Sequence, residues 1–116
     1  MAYNGWANYE TWNVALWIDN DYGLYQTRCE MAQDAYDNAD GEMDKAKRNL
    51  ADAIQEMIEE MNPLSSDASL FSDLLGAALG EVDWYEIAEN FLEDVEKKVE
   101  EEEEEPEVEE VTPDEN

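Results

Sequence analysis

MDKAKRNLADAIQEMIEEM, residues 43–61, is the stretch that decides the fold. Met43, Ala46, Leu50, Ile54, Met57, Ile58 and Met61 recur largely at steps of three and four. That spacing draws one apolar stripe along a helix and leaves the charged residues on the opposite face. A strand would need a period of two, which this stretch lacks. Asn62-Pro63 ends the helix, because the residue before a proline resists the α conformation. The break at residues 37–41 precedes it. A helix with a single apolar stripe must bury that stripe against other elements, so the flanking sequence is read for partners.

On the N-terminal side, residues 21–37 place Leu24, Arg28, Met31 and Ala35 in one row, with Tyr22, Tyr25, Cys29 and Tyr36 beside it. Asp19-Asn20-Asp21 supplies a turn and a cap for that helix. An earlier helix is expected from about Tyr9 to Ile18 with Asn8 as N-cap. Tyr9, Trp12 and Leu16 share a face there, and Val14, Trp17 and Ile18 widen the apolar surface, so burial on more than one side is expected. Residues 1–7 read as an irregular lead anchored by Trp6, and no β-hairpin is expected.

On the C-terminal side, Ser65 or Ser66 is expected to cap a fourth helix. Its Leu70, Phe71, Leu74, Leu75, Ala78 and Leu79 are expected to turn inward, with Gly80 at its end. Asp83-Trp84-Tyr85-Glu86 reads as a variant capping box opening a fifth helix. The core row of that helix is Trp84, Ile87, Phe91, Val95 and Val99. With no alternating β pattern and no internal repeat, the expected fold is all-α, a compact bundle of four or five helices.

The 116 residues carry 33 acids and 6 bases with no His, a net charge of -27. Residues 100–116 hold 11 of the acids and none of the bases, with Pro106 and Pro113 among them, and read as a mobile, disordered acidic tail. Residues 1–99 then form the helical domain, still at a net charge of -16. Such charge alone argues for disorder, but 43% of the chain is apolar and its four Trp, six Tyr and two Phe lie within residues 1–91, enough for a core.

Six cations cannot neutralise a phosphate backbone, which excludes direct binding of nucleic acid by a basic face. An anionic membrane surface is excluded in the same way. Without His there is no Ser-His or Cys-His pair and no imidazole for proton transfer. Cys29 is the only cysteine, so neither an internal disulfide nor a thiolate zinc site can form. The first residues lack the basic and then apolar run of a signal peptide, and no apolar run is long enough to span a bilayer. A cytoplasmic protein that is not an enzyme is expected, with no cofactor and no metal. Calcium is the natural suspicion for so acidic a chain, but the loop geometry fails. Gly41 as the sixth position would put Tyr36 first and Lys47 twelfth, and Gly23 would put Ile18 first.

Paired carboxylates can act as acid and base only in an apolar cleft that shifts a pKa, whereas these acids lie on the polar faces of helices. The Trp residues could form a base-stacking platform, yet platforms accompany basic grooves, so core packing is the better reading. One or two of Trp6, Tyr9 and Trp12 remain candidates as interface anchors. Met57 and Met61 are either core or part of an adaptable apolar pocket for a partner's side chain.

The informative constellation lies on the last helix. Glu86, Glu89, Glu93, Glu96 and Glu100 follow one another at steps of three and four, one carboxylate per turn on one stripe. From first to last they span about 21 Å at about 1.5 Å per residue, roughly six base pairs. Like charges at these spacings destabilise a helix by a few tenths of a kcal/mol per pair, and glutamates near its C-terminus oppose the macrodipole. A merely solubilising surface mixes both signs and needs a net charge of only roughly 2 to 8 in magnitude. A stripe held at a cost in stability is read as functional.

A regular line of carboxylates on a rigid scaffold imitates a phosphate backbone and is steered into cationic grooves. In class, the stretch Glu89 to Glu96 running into Glu100 to Glu105 resembles the DNA-mimic inhibitors of phages, namely Ocr-type anti-restriction proteins and uracil-DNA glycosylase inhibitors. Asn4-Gly5-Trp6, the segment Asn8 to Val14, and Asp83 to Glu89 are similar to segments of small acidic phage proteins. That resemblance implies a phage or mobile-element origin and an infected bacterial cell as the setting. The expected partner is the basic DNA-binding groove of a host DNA-processing or defence enzyme, either uracil-DNA glycosylase or a restriction or CRISPR enzyme. Partner contacts are expected at Glu86, Glu89, Glu93, Glu96 and Glu100, with Asp94 and the tail adding long-range attraction and Met57 and Met61 an apolar pocket. A homodimer would extend the footprint. The competing expectation is an acidic adaptor or chaperone-like module for a basic protein, without DNA mimicry.

Overall fold

A computed structural model describes residues 3–111, with side chains through Glu101. Five helices follow in chain order: α1 (Tyr9–Asn20), α2 (Tyr22–Asp37), α3 (Met43–Met61), α4 (Leu70–Gly80) and α5 (Trp84–Val111). The caps explain most of these boundaries. Asn8 Oδ1 accepts the Thr11 N–H at 2.9 Å and opens α1. Asp21 Oδ1 does the same for Leu24 and separates α1 from α2. Positive φ at Asp40 and Gly41 turns the chain from α2 into α3.

The core follows the periodicity of residues 43–61. α2, α3 and α5 pack on one another, and α1 lies against α2 and α5. Leu50 and Ile54 of α3 meet Ile87, Phe91, Leu92 and Val95 of α5 in one buried cluster. Alanines 32, 35, 46, 51 and 88 share that cluster, and side chains this small allow helix axes to approach closely. Met57 packs on the cluster half-buried, whereas Met61 at the end of α3 is exposed. Among the described residues no helix is long and apolar enough to cross a membrane.

Four local expectations need correction. First, α1 buries Thr11, Ala15 and Ile18, while Tyr9, Leu16 and Trp17 are exposed. Its burial is one-sided, because only the face toward α2 and α5 meets another element. Tyr9 and Trp12 instead stack edgewise or tilted with Tyr3 and with each other. Second, Tyr3 and Trp6 exchange backbone hydrogen bonds of 2.7 and 2.8 Å across Asn4-Gly5. Both central residues have positive φ, as the tightest hairpin turns require, and Asn-Gly is the pair that adopts it.

Third, α4 is capped by Ser69 rather than Ser65 or Ser66. Ser69 Oγ accepts the Ser72 N–H while the Ser72 hydroxyl accepts the Ser69 N–H, a reciprocal box. Fourth, the inward face expected for α4 is only partly present, with Leu75, Ala78 and Leu79 half-buried. None of its residues is fully buried, and Leu70, Phe71 and Leu74 are all more than half exposed. Apolar almost all round, α4 has only Ser72 and Asp73 to fix its rotation, and it makes little contact with the other helices. α5 is helical through Pro106 to Val111 and so takes in the first residues of the acidic segment. The rest of that segment, residues 112–116, lies outside the described residues.

Candidate functional site

Side chains advance about 100° per residue around a helix, which divides α5 into a buried row with two flanks. Ile87, Phe91 and Val95 form the row. The glutamate stripe lies on the flank toward α3, and Asp94 lies on the flank toward α2. Asp94 follows Glu93 directly, about 100° further round the helix, so it lies off the stripe at the edge of the core row.

On the α3 flank, Glu86, Glu89, Glu93 and Glu96 line one shallow trough of about 360 Å³ with Met43, Lys47, Asn90 and Leu92. Its carboxylates are not equivalent. Glu86 is half-buried and its Oε1 accepts the Ala7 N–H at 2.9 Å. Glu89 Oε2 meets Lys47 Nζ at 3.3 Å. That hydrogen bond raises the Lys47 pKa above its ordinary 10.5. Glu96 is half-buried, and Glu93 and Glu100 are exposed. The methionine beside the stripe is Met43, whereas Met57 and Met61 do not line the trough.

On the opposite flank, Asp94 is committed to Arg28. Arg28 is the one buried charged side chain among the described residues. Its Nε donates to Asp19 Oδ1 and its Nη1 to Asp94 Oδ2, both at 3.0 Å. The guanidinium lies 4.2 Å from the Phe91 ring centroid and 4.8 Å from that of Tyr25. Burial works against the charge, but Asp19 and then Asp94 outweigh it and hold the pKa above its ordinary value. This one side chain clamps α1, α2 and α5 together, so Asp94 is a structural residue.

A second feature explains the two segments that stood out in the sequence. Asn8 Oδ1 also accepts the Thr11 hydroxyl at 2.6 Å, and Asn8 Nδ2 donates to the Glu81 carbonyl at 2.7 Å. The Asp83 N–H donates to Thr11 Oγ1 at 2.8 Å. Asp83 Oδ1 caps Glu86 N–H at 3.0 Å, but the return arm expected of a capping box is diverted. Thr11 takes the Asp83 N–H, and the Glu86 carboxylate reaches back to Ala7. The start of α1 and the start of α5 thus form one hydrogen-bonded junction. Sequence reasoning named Asn8 and Asp83 as separate caps and missed Thr11, whose burial at a polar helix start is the clue.

The stripe lines an open trough rather than an apolar cleft, and its exposed Glu93 and Glu100 attract cations and cationic surfaces. Among the described residues no group of three or more His, Cys, Asp or Glu is placed to hold a metal ion. No curated protein and no solved structure matches the chain. A family of unknown function (DUF7249) matches residues 1–105, which include both sides of the junction and the whole stripe, and the chain belongs to that family.

Proposed function

We propose that the protein is a phage-type DNA mimic acting in the cytoplasm of an infected bacterium. It occupies the DNA-binding groove of a host DNA-processing or defence enzyme and has no catalytic activity of its own. The observation that carries this reading is the trough lined by Glu86, Glu89, Glu93 and Glu96, one carboxylate per turn along a helix whose other side is buried. A stripe on a packed helix is preorganised, so little ordering cost is met on binding. Glu93, Glu96 and Glu100 contribute the free charges. They span about 10 Å, roughly three base pairs, which suits an enzyme with a short footprint such as uracil-DNA glycosylase better than a restriction or CRISPR complex. Glu89, tied to Lys47, contributes less, and Glu86 and Asp94 hold the scaffold. The tail adds steering at long range.

Elution of a bacterial extract from immobilised duplex DNA tests the reading. At low salt the protein should release at least one DNA-binding enzyme, and release should weaken steeply as salt rises. Reversing Glu93, Glu96 and Glu100 to Lys should reduce release more than removing residues 102–116. Failure to release any DNA-bound protein sinks the proposal, as does undiminished release by the triple reversal.

A further inference from the structure

We propose that the outward face of α4 is a docking surface for a basic amphipathic helix of a partner protein. This surface is separate from the glutamate trough and does not depend on the DNA-mimic reading. Leu70, Phe71 and Leu74 are 60–69% exposed, and Ala77, also exposed, extends them. Positions i, i+1, i+4 and i+7 make one continuous helical face, the kind of stripe that pairs with a partner helix. Contiguous apolar exposure of this sort marks an interaction surface, whereas scattered exposed side chains do not.

Charge selects the occupant. Glu59, Asp67 and Asp73 line the groove between α3 and α4, and Glu81 caps the far end of α4. None of these four carboxylates is in an ion pair among the described residues, where the pairs belong to Asp19, Asp94 and Glu89. From residue 49 to residue 96 the chain contains no Lys or Arg. A second copy would bring the same acids against this rim and be repelled. A helix with apolar side chains along one face and Lys or Arg on its flanks would cover Leu70, Phe71 and Leu74 and reach Asp73 and Glu81, the carboxylates nearest that face by helical position, complementing both shape and charge.

The probe is a fluorescent synthetic helix of Leu and Lys in amphipathic order, compared with a scrambled peptide of the same composition. The full-length protein should bind the amphipathic peptide at least about tenfold more tightly than the scrambled one. F71S/L74S should lose about tenfold or more in affinity, while E93Q/E96Q/E100Q should bind like the unaltered chain. Hydrogen exchange on the unaltered protein provides a readout without mutation, with peptide-induced protection expected at residues 69–81. Equal binding of the two peptides, unchanged affinity of F71S/L74S, or protection outside α4 overturns the proposal. So does a dimer of the unaltered protein that F71S/L74S converts to a monomer, since the occupant would then be a second copy.

Discussion

α3 and α4 are both helices with leucines and isoleucines or phenylalanine at helical spacing, yet Ile54 of α3 is 0% exposed and Phe71 of α4 is 69% exposed. The difference lies in their polar residues. α3 has a wide charged face that sets its rotation, so its stripe has one direction in which to be buried. α4 has only Ser72 and Asp73 as polar residues, and its short span between the loop after Met61 and the junction at Asp83 leaves it beside the bundle. Full burial of a large apolar side chain stabilises by about 1.5–3 kcal/mol, a gain that Leu70, Phe71 and Leu74 forgo. A helix of this length is marginal alone and is held by its end caps. Apolar content therefore measures what a helix could bury, and the polar pattern decides whether a place for burial exists.

The contrast can be broken most directly in the core. Ile54→Ala should cost about 2–5 kcal/mol in urea unfolding, because it removes buried methyl groups and leaves a cavity. Leu74→Ala on α4 should stay within about 0.5 kcal/mol of the unaltered protein. If the two substitutions cost the same, α4 is packed and the comparison fails. Between these extremes lie the polar fastenings that α4 lacks. Arg28→Ala should cost about 2–3 kcal/mol, less than the roughly 3–5 for breaking a fully buried pair. Asp19 and Asp94 are each about half exposed and regain water once the guanidinium is gone.

Thr11→Val sharpens the picture at the end of α4. It leaves the Asp83 N–H without its partner and should cost about 1–2 kcal/mol, with faster amide exchange at Asp83. Thr11→Ser should restore most of both. The smallest effect belongs to Lys47 on α3. Its folded pKa is raised above 10.5, so the stability it contributes is fully present below the unfolded value and lost as pH rises through the folded one. Denaturation of the unaltered protein and Lys47→Met should differ by a constant amount from neutral pH to about 10. The difference should close above that.

These contrasts also explain what could be read from the sequence. Ile54 and Phe91 were legible as core because their neighbours alternate between polar and apolar at a helical period. Asn8, Asp21 and Asp83 were legible as caps because capping is local chemistry, completed within three residues. Thr11, Arg28 and Asp94 were not, since their roles depend on residues far away in the chain. The hairpin at Asn4-Gly5 has the turn pair in plain sight, but the single bridging residue on each side, Tyr3 and Trp6, leaves no strand pattern to register. Spacing alone aligns the five glutamates along α5, but it says nothing of which carboxylates the scaffold uses. Lys47 and the Ala7 N–H take two of them, and neither partner lies on α5.

The junction at Thr11 has a consequence for the order in which the protein is made. The Ala7, Asn8 and Thr11 groups bond to Glu86, Glu81 and Asp83 across 79, 73 and 72 residues. A ribosome synthesises the α1 segment first, yet the partners that anchor its start emerge only when most of the chain is already out. α2 and α3 can pair before then, and Tyr3, Tyr9 and Trp12 can already stack on one another, but the start of α1 must wait for its anchors. Nascent chains stopped before Glu81 are thus expected to have an unlatched N-terminus, cleaved readily by proteases. Completion of the start of α5 then seals the first helix, so the end of the chain certifies its beginning.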